Sequence, residues 1–218
     1  MKTMLRMMLV SLFALGAAMA SADEGMMARF QPGVHYKVLT EPSMPRDESK
    51  VEVAEIFWYG CPHCYHLEPL VQAWKAKLPA DVDFLRIPAQ FSKQWQLHAA
   101  LYYMTEVLGV TEKTHSAIFD AIQGQKMRLF DKYEQQKFLA PYGVSEADFN
   151  RVWDSSGVRR LMAQADQKVR QYQVNGVPAI IVNGKYMVDA ASAGGQDKIF
   201  PIVDYLIEQE RAKLKGKK

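Results

Sequence analysis

The chain has 218 residues, of which 49% are hydrophobic and 23% charged, and its formal net charge is +3. These proportions are ordinary for a soluble globular protein, and the length fits one domain with an insertion or two small domains. Lys2 and Arg6 lie in a segment that we expect to be removed, so the remaining charge is almost balanced and gives no electrostatic case for binding nucleic acid.

The first 22 residues are typical of a secretory signal peptide. A basic start at Lys2 and Arg6 is followed by an apolar stretch and then by small residues. We expect cleavage after Ala22, with cleavage after Ala20 as the alternative. An uncleaved membrane anchor is less favoured, because the apolar stretch is shorter than the ~20 residues that span a bilayer. The pattern predicts export to an oxidising compartment, where a disulfide persists.

The pattern of residues 34–87 predicts a short strand and then a strand, a helix and a strand around one short motif. Residues 34–39 alternate as a short strand does, and residues 51–58 form the nearly continuous apolar run of a buried strand. Residues 65–78 carry apolar side chains at helical spacing, and residues 82–87 predict another strand. Strand, helix, strand is a βαβ unit, so these last two strands should be parallel.

From residue 91 to about residue 171 the pattern is helical, without strand-like alternation. The predicted helices cover residues 95–108, 112–122, 132–140, 145–153 and 157–172. We interpret residues 91–155 as an all-helical inserted domain, with residues 23–90 and 156–218 forming the α/β domain.

Strands return after the helical region. Residues 179–182 and 185–188 flank Asn183-Gly184, a pair that favours a type I′ hairpin because this turn needs positive φ at both positions. A final amphipathic helix follows, with Pro201 in its first turn or kinking it. The basic tail from residue 211 is interpreted as a solvated end.

Cys61 and Cys64 are the only cysteines of the chain and belong to a Cys-Pro-His-Cys motif. A structural disulfide would close a loop of only four residues, which by chain entropy contributes about 2 kcal/mol. Structural zinc needs four ligands, and the pair supplies two, with His63 and His66 nearby. No metal is predicted, because the side chain of His63, between the cysteines, should point away from their shared side, and the chain has no second cysteine pair. Tyr65 stands where a c-type haem would need a histidine. A single close pair in an exported chain favours redox chemistry.

The predicted helix start should set the chemistry of this pair. Cys61 should lie at the helix N-terminus, where free backbone N–H groups and the helix dipole favour an anion. His63 adds a donor or a positive charge, and together these effects should lower the pKa of Cys61 well below its usual value. The dithiol form is then stabilised and the disulfide is oxidising. We expect Cys61 to be exposed and attacked, and Cys64 to be the more buried resolving thiol.

A second segment of interest is Gly176-Val177-Pro178, which immediately precedes a predicted strand. Proline is disfavoured there unless it serves a bend or an edge. A cis bond would leave the backbone of Val177 free to pair with an extended substrate chain. From the residues alone a trans proline is favoured, because cis is the minority form.

Together these residues resemble the thioredoxin superfamily and, within it, the DsbA family of periplasmic thiol oxidases. The resemblance is carried by residues 57–65 (FWYGCPHCY), by Gly176-Val177-Pro178 and by residues 182–186 (VNGKY), and it extends over the whole mature chain. It implies an α/β, thioredoxin-like fold in which an all-helical domain is inserted between the βαβ and ββα halves, and it implies a periplasmic location.

The resemblance also implies roles for individual residues. Cys61 is similar to the attacking cysteine of the family and Cys64 to its partner, and the two form the redox-active disulfide. His63 corresponds to the histidine that makes the pair oxidising. Pro178 corresponds to a cis-proline that faces the disulfide, which reverses the trans interpretation, and Val177 with Pro178 is implied to bind substrate.

Two residues are implied to support the site and a third is in question. Pro62 lies inside the motif, and Glu55 matches a buried acid that helps to move a proton near the inner cysteine. A strand residue that faces solvent is the open alternative for Glu55. Arg86 lies about where the family often has a lysine, and a relay role is doubtful there because arginine stays protonated.

The implied activity is that of a protein-disulfide oxidase, which donates the Cys61–Cys64 disulfide to newly exported proteins through a mixed disulfide at Cys61. The implied partners are reduced, unfolded secreted proteins and a membrane quinone reductase of the DsbB type, which reoxidises the dithiol. No bound cofactor is implied, and a monomer is expected. A disulfide isomerase or reductase of the same fold is the alternative, and a chaperone or metal carrier is the alternative from another class.

Overall fold

The structure is a computed structural model that describes residues 29–216. The predicted signal peptide, residues 1–22, lies outside the described residues. Within the described part of the chain, no helix is long and apolar enough to cross a membrane.

A mixed sheet of five strands, in the order β1-β5-β4-β2-β3, forms the centre of the fold. The strands are β1 (Lys37–Val38), β2 (Val51–Phe57), β3 (Val82–Pro88), β4 (Ala179–Val182) and β5 (Tyr186–Val188). β2 pairs parallel with β3 and antiparallel with β4, so the predicted parallel βαβ unit is confirmed. Every residue of β2 is buried, which explains its nearly continuous apolar sequence.

Eight α-helices surround this sheet in the described part of the chain. They are α1 (Pro62–Lys75), α2 (Lys93–Val107), α3 (Thr111–Phe119), α4 (Lys132–Leu139), α5 (Glu146–Val152), α6 (Ser156–Gln171), α7 (Ala190–Ala193) and α8 (Ile199–Lys215). The helix predicted over 112–122 is α3 continued by a π-helical turn, Asp120–Gly124. α6 packs against both α2 and β3, and the proposed boundary between the two domains at residue 155 stays a prediction.

The sheet separates two apolar clusters, and the alternation of side chains along β2 feeds both. Ala54 and Ile56 belong to the cluster on the side of the helical insertion, whereas Val51 and Val53 belong to the cluster beneath α8. Both cysteines of the motif lie in the first cluster. The redox motif is therefore at the junction of the sheet and the insertion.

Two local predictions have different outcomes. The Asn183-Gly184 turn is confirmed, with φ of 50° and 62°, and a Cβ on Gly184 would lie 2.3 Å from the Ser43 carbonyl oxygen. The strand predicted over 34–39 is wrong for most of its length, because only Lys37 and Val38 pair with β5. Residues 31–36 form a turn instead, in which the N–H of Gly33 donates to the carbonyl of Tyr36 at 2.8 Å.

Candidate active site

The turn after β2 delivers the cysteine pair to the first turn of α1. Cys61 is the N-cap residue, with extended backbone (φ −90°, ψ 116°), and Pro62 occupies the first helical position, where its missing N–H costs nothing. The N–H of Cys61 donates to the carbonyl of Trp58 at 3.0 Å. The prediction that Cys61 lies at a helix N-terminus is confirmed.

Gly60 allows this turn to pack tightly. A Cβ at residue 60 would lie 2.3 Å from an indole carbon of Trp58. The Trp58 ring also stacks on Trp95 of α2, with a centroid separation of 4.1 Å and an interplanar angle of 7°. A side chain at residue 60 would therefore have to displace this aromatic pair.

Both cysteines are free thiols, and their burial corrects one expectation. Cys64 is fully buried, as predicted for the inner thiol, but Cys61 is only 8% exposed rather than openly accessible. The Val177 segment explains this cover, because the Cys61 thiol donates to the Val177 carbonyl at 3.6 Å. The Val177-Pro178 bond is cis, as the resemblance implied and contrary to the interpretation favoured by the residues alone.

The pKa of the Cys61 thiol is lowered from 9.0 to about 6. The largest cause is a hydrogen bond from the Cys64 thiol, which burial of Cys61 partly opposes; the backbone N–H groups of Cys64 and His63 come next, and the charge of His63 follows. The helix terminus and His63 contribute as predicted, but the sequence reasoning missed the larger contribution of the partner thiol. The His63 side chain itself is exposed to solvent.

Cys64 behaves in the opposite way. Burial raises the pKa of its thiol far above 9.0, and the hydrogen bond to Cys61, the negative charge on Cys61 and the charge of Glu55 add to this increase. One turn of helix therefore separates a thiol that ionises readily from a thiol that holds its proton.

A buried ion cluster lies beneath the pair. Arg86 donates from Nε to Glu55 Oε2 at 3.0 Å and from Nη2 to Glu68 Oε2 at 3.2 Å. Glu55 is fully buried, so the solvent-facing alternative for this residue is wrong. Burial outweighs the attraction of Arg86 and raises the pKa of Glu55 to about 7. Glu55 Oε1 has no hydrogen-bond partner within the described part of the chain.

Sequence reasoning missed the other half of this cluster. Burial alone would raise the pKa of Glu68, but hydrogen bonds and charges from His115, Arg86 and Gln72 lower it to about 2. His115 Nε2 lies 3.5 Å from Glu68 Oε2, and its Nδ1 lies 2.9 Å from the hydroxyl of Tyr59. Because burial lowers the pKa of His115 to about 4, the ring is neutral at pH 7. A proton on Nε2 then faces Glu68, while Nδ1 accepts from Tyr59.

Glu68 could have been found from its position, whereas His115 could not. Glu68 lies four residues after Cys64, on the same face of the predicted helix, so burial was foreseeable. His115 belongs to α3 in the insertion, and nothing in the local sequence indicates which buried acid it meets.

Polar contacts fasten one side of α1 to the insertion, and we call this side the insertion flank. Tyr65 donates to Asp120 at 2.9 Å, Ser116 donates to Glu68 at 2.8 Å, and Lys75 donates to Glu112 at 2.6 Å. Residue numbers rise along α1 as they fall along α3, so the two helices run antiparallel along this flank.

A groove of about 300 Å³ lies beside the redox motif, and its walls include His63, Val177, Pro178, Met187, Ala190 and Ala191. We call it the loop groove. A larger cavity of about 410 Å³ runs along β3, and its lining includes Arg46, Tyr102 and Lys168 but no residue of the cysteine motif or of the Val177 segment. The loop groove is the cavity next to the redox chemistry.

Three residues of the buried cluster carry side chains that can ligate a metal ion. Glu55, Glu68 and His115 each offer a ligand atom, and these atoms lie within 4.8 Å of one another. However, Arg86 pairs with both carboxylates and already supplies a positive charge at that place. Its chemistry is that of a buried ion network.

Comparisons with known proteins agree with this fold. A family model described as a DSBA-like thioredoxin domain matches residues 71–199. The thiol:disulfide interchange protein DsbA of Pseudomonas syringae pv. tomato is 43% identical over 208 residues, which covers 95% of this chain and 94% of the relative. The corresponding protein of Pseudomonas aeruginosa is 38% identical over 215 residues and covers 99% and 100%.

A solved structure extends the agreement to three dimensions. The crystal structure of Pseudomonas aeruginosa DsbA superposes with a TM-score of 0.81 and 41% identity, covering 85% of this chain and 97% of the other. The predicted thioredoxin-like α/β fold with a helical insertion is thereby confirmed.

Proposed function

This chain belongs to the DsbA family of thioredoxin-fold thiol:disulfide interchange proteins, and we propose that it donates the Cys61–Cys64 disulfide to newly exported proteins in the periplasm. As a thiol:disulfide oxidoreductase it acts on protein substrates and needs a redox partner. The proposal specifies that the protein oxidises its substrates, that the reaction passes through a mixed disulfide at Cys61, and that it takes place in the periplasm.

The observation that carries the proposal is the difference in acidity between the two thiols. With a pKa of about 6, Cys61 is a thiolate at pH 7, whereas the pKa of Cys64 is raised well above its usual value. The dithiol form gains the stability of that thiolate, and the disulfide form has no such charge to stabilise. Reduction is therefore favoured, which makes the disulfide an oxidant.

The first step begins when a substrate thiolate attacks Cys61 Sγ. A bond forms between the substrate sulfur and Cys61, the Cys61–Cys64 bond breaks, and Cys64 leaves with the electron pair of that bond. Its high pKa makes Cys64 take up a proton at once. Glu55, buried and with a pKa of about 7, is the acid that we assign to supply it.

The second step releases the product. A second substrate thiolate attacks the substrate sulfur of the mixed disulfide, so that the substrate disulfide forms and Cys61 leaves. The low pKa of Cys61 makes it a good leaving thiolate. The substrate has lost two electrons, and the protein has gained them as a Cys61 thiolate and a Cys64 thiol whose proton came from Glu55.

Substrate binding is assigned to the loop groove and to the segment beside it. Pro178 is buried and Val177 half-buried, and the Val177 carbonyl is directed at Cys61. An extended substrate chain next to Cys61 would meet this backbone and the small side chains of the groove. Main-chain recognition of this kind accepts many sequences, which suits a broad set of unfolded substrates.

The remaining roles complete the cycle. His63 and Pro62 support the ionised state of Cys61 at the helix start, and Arg86 fixes Glu55 without carrying a proton. A membrane quinone reductase of the DsbB type would reoxidise the dithiol, and the protein would act as a monomer without a bound cofactor. Residues 1–22 would direct export.

The test is the equilibrium between the protein and glutathione, together with two cysteine variants. We expect the wild-type potential to lie well above that of glutathione. Cys61→Ser should abolish oxidation of a reduced, unfolded substrate. Cys64→Ser, with Cys61 first joined to glutathione by reaction with oxidised glutathione, should exchange the glutathione for the substrate thiol and accumulate the mixed disulfide at Cys61. A potential near that of thioredoxin would identify a reductase or isomerase instead, and full activity of Cys61→Ser would indicate a binding protein.

A further inference from the structure

One hydrogen bond reaches the redox motif from a distant part of the chain. Gln196 begins a 3-10 turn (Gln196–Lys198), and its Nε2 donates to the carbonyl of His63 at 2.7 Å. Gly194 and Gly195 immediately precede it with φ of 77° and 145°, a region that favours glycine, and they direct the chain over the start of α1.

The carbonyl of His63 is coupled to the N–H of Cys64, next to the reactive sulfur. The C=O of His63 and the N–H of Cys64 belong to one peptide group, whose resonance couples the oxygen to the nitrogen. A donor on the oxygen draws electron density from the nitrogen and makes its N–H a stronger donor. Chains of hydrogen bonds polarise one another in this way by roughly 10–30% per bond.

The N–H of Cys64 is directed toward the group that ionises. Cys64 is the third helical residue after the N-cap Cys61, and a cap side chain faces the N–H groups at these positions. The neutral Cys61 thiol makes no capping bond, but a thiolate is a far stronger acceptor. The N–H groups of Cys64 and His63 both favour its ionised form.

We propose that Gln196 is a positioning residue that strengthens the Cys64 N–H as a donor to the Cys61 thiolate, through the peptide group that His63 and Cys64 share. This inference rests on the proposed function and names a further residue that tunes the oxidant. The disulfide form has no thiolate to receive the stronger donor, so the bond favours the reduced state.

A purely structural role explains the bond less well. The carbonyl of His63 lies inside α1, where it has a partner in the helical pattern, so it does not need Gln196 to be satisfied. Gln196 is only half-buried and lies 133 residues away in sequence. The bond contributes little packing, but it acts on the peptide group nearest to the reactive sulfur.

The test compares two glutamine-to-alanine variants. Gln196→Ala removes the donor, and Gln90→Ala is the matched control, because Gln90 Nε2 also donates to a backbone carbonyl, that of Met162, at 2.7 Å. Two quantities are measured. The first is the pKa of Cys61, obtained from the ultraviolet absorbance of the thiolate, and the second is the equilibrium constant with glutathione.

We expect Gln196→Ala to raise the pKa of Cys61 by about 0.3, a twofold change in its ionisation constant, and to shift the glutathione equilibrium toward the disulfide form by a similar factor. Gln196→Glu, which removes the donor and adds a negative charge, should raise the pKa further. Gln90→Ala should match the wild type.

Equal pKa values for Gln196→Ala and the wild type would overturn the inference, as would equal shifts for Gln196→Ala and Gln90→Ala. A wild-type pKa near 9.0 would instead overturn the proposed function. The role of Gln196 would still be decided by the difference in the Cys61 pKa between Gln196→Ala and the wild type, which is measurable at any absolute pKa.

Discussion

The two sides of α1 make different kinds of contact. On the insertion flank, Glu68 is buried and connects Arg86 to His115, while Tyr65 and Lys75 add contacts nearer the surface. On the side of the loop groove, the Val177 carbonyl accepts from Cys61, the amide of Gln196 donates to the His63 carbonyl, and several of the groove's side chains are small or apolar.

This difference indicates how one helix serves a reaction that needs both precision and access. The charged flank holds α1 and the acid Glu55 against the insertion through buried ion pairs and hydrogen bonds. The loop groove leaves the attacked sulfur next to a surface that many chains can occupy. Stability and substrate recognition should therefore be separable by mutation.

The largest expected effect lies at the buried flank. Glu68→Ala removes the carboxylate that Arg86 and His115 share, and breaking a buried pair costs about 3–5 kcal/mol of unfolding free energy. Urea denaturation measures this loss. Glu112→Ala, which breaks the exposed pair with Lys75 on the same flank, is the control and should cost about 1 kcal/mol or less. Similar losses in the two variants would contradict the distinction.

An intermediate effect is expected from the pH dependence of the dithiol form. The folded pKa of Cys61 is depressed from 9.0 to about 6, so its stabilisation is fully present above pH 9 and is lost as pH falls through 6. Between pH 8.5 and pH 5 the unfolding free energy of the dithiol form should fall by about 3 kcal/mol relative to the disulfide form.

Denaturation of both redox forms across this range measures the difference, because groups common to both forms largely cancel. Glu55 is such a group, so Glu55→Gln should leave the difference in place. Parallel stability curves for the dithiol and disulfide forms would show that Cys61 is not ionised preferentially in the folded protein.

The smallest effect on stability is expected in the loop groove. Ala191 is exposed in α7, and Ala191→Arg should change the unfolding free energy by about 0.5 kcal/mol or less. The new side chain should obstruct an extended substrate, so kcat/KM for an unfolded protein should fall severalfold while reduction by glutathione is unchanged. Ala163→Arg, on the exposed face of α6, is the control. An equal loss for glutathione would place the effect at the cysteines instead.

Most of the fold follows from local patterns that the sequence contains. The apolar run of β2, the helical spacing of α1 and the Asn183-Gly184 turn each depend on neighbouring residues, and each was predictable. The strand at residues 34–39 failed because two residues of pairing were enough to join the sheet edge, and alternation alone does not show where pairing begins.

The site was predictable where its chemistry is local and not where it depends on contacts between distant parts of the chain. The Cys-Pro-His-Cys motif, its helix start and the interior acid Glu55 are visible in one stretch. His115 meets Tyr59 across 56 residues, and Gln196 meets His63 across 133. The low exposure of Cys61 has the same origin, because the carbonyl that covers it is 116 residues away.

The stacked pair of Trp58 and Trp95 has an optical consequence. Trp58 lies just before the cysteine motif and Trp95 lies in α2, with ring centroids 4.1 Å apart, so the two indoles form one coupled chromophore shared by two distant parts of the chain. Trp74 stacks instead on Phe200, away from this pair. We therefore expect the near-ultraviolet circular dichroism of the protein to contain a band from this pair, which should persist only while the motif and the insertion stay in contact. A mixed disulfide that separated them would be seen as the loss of that band, without any added label.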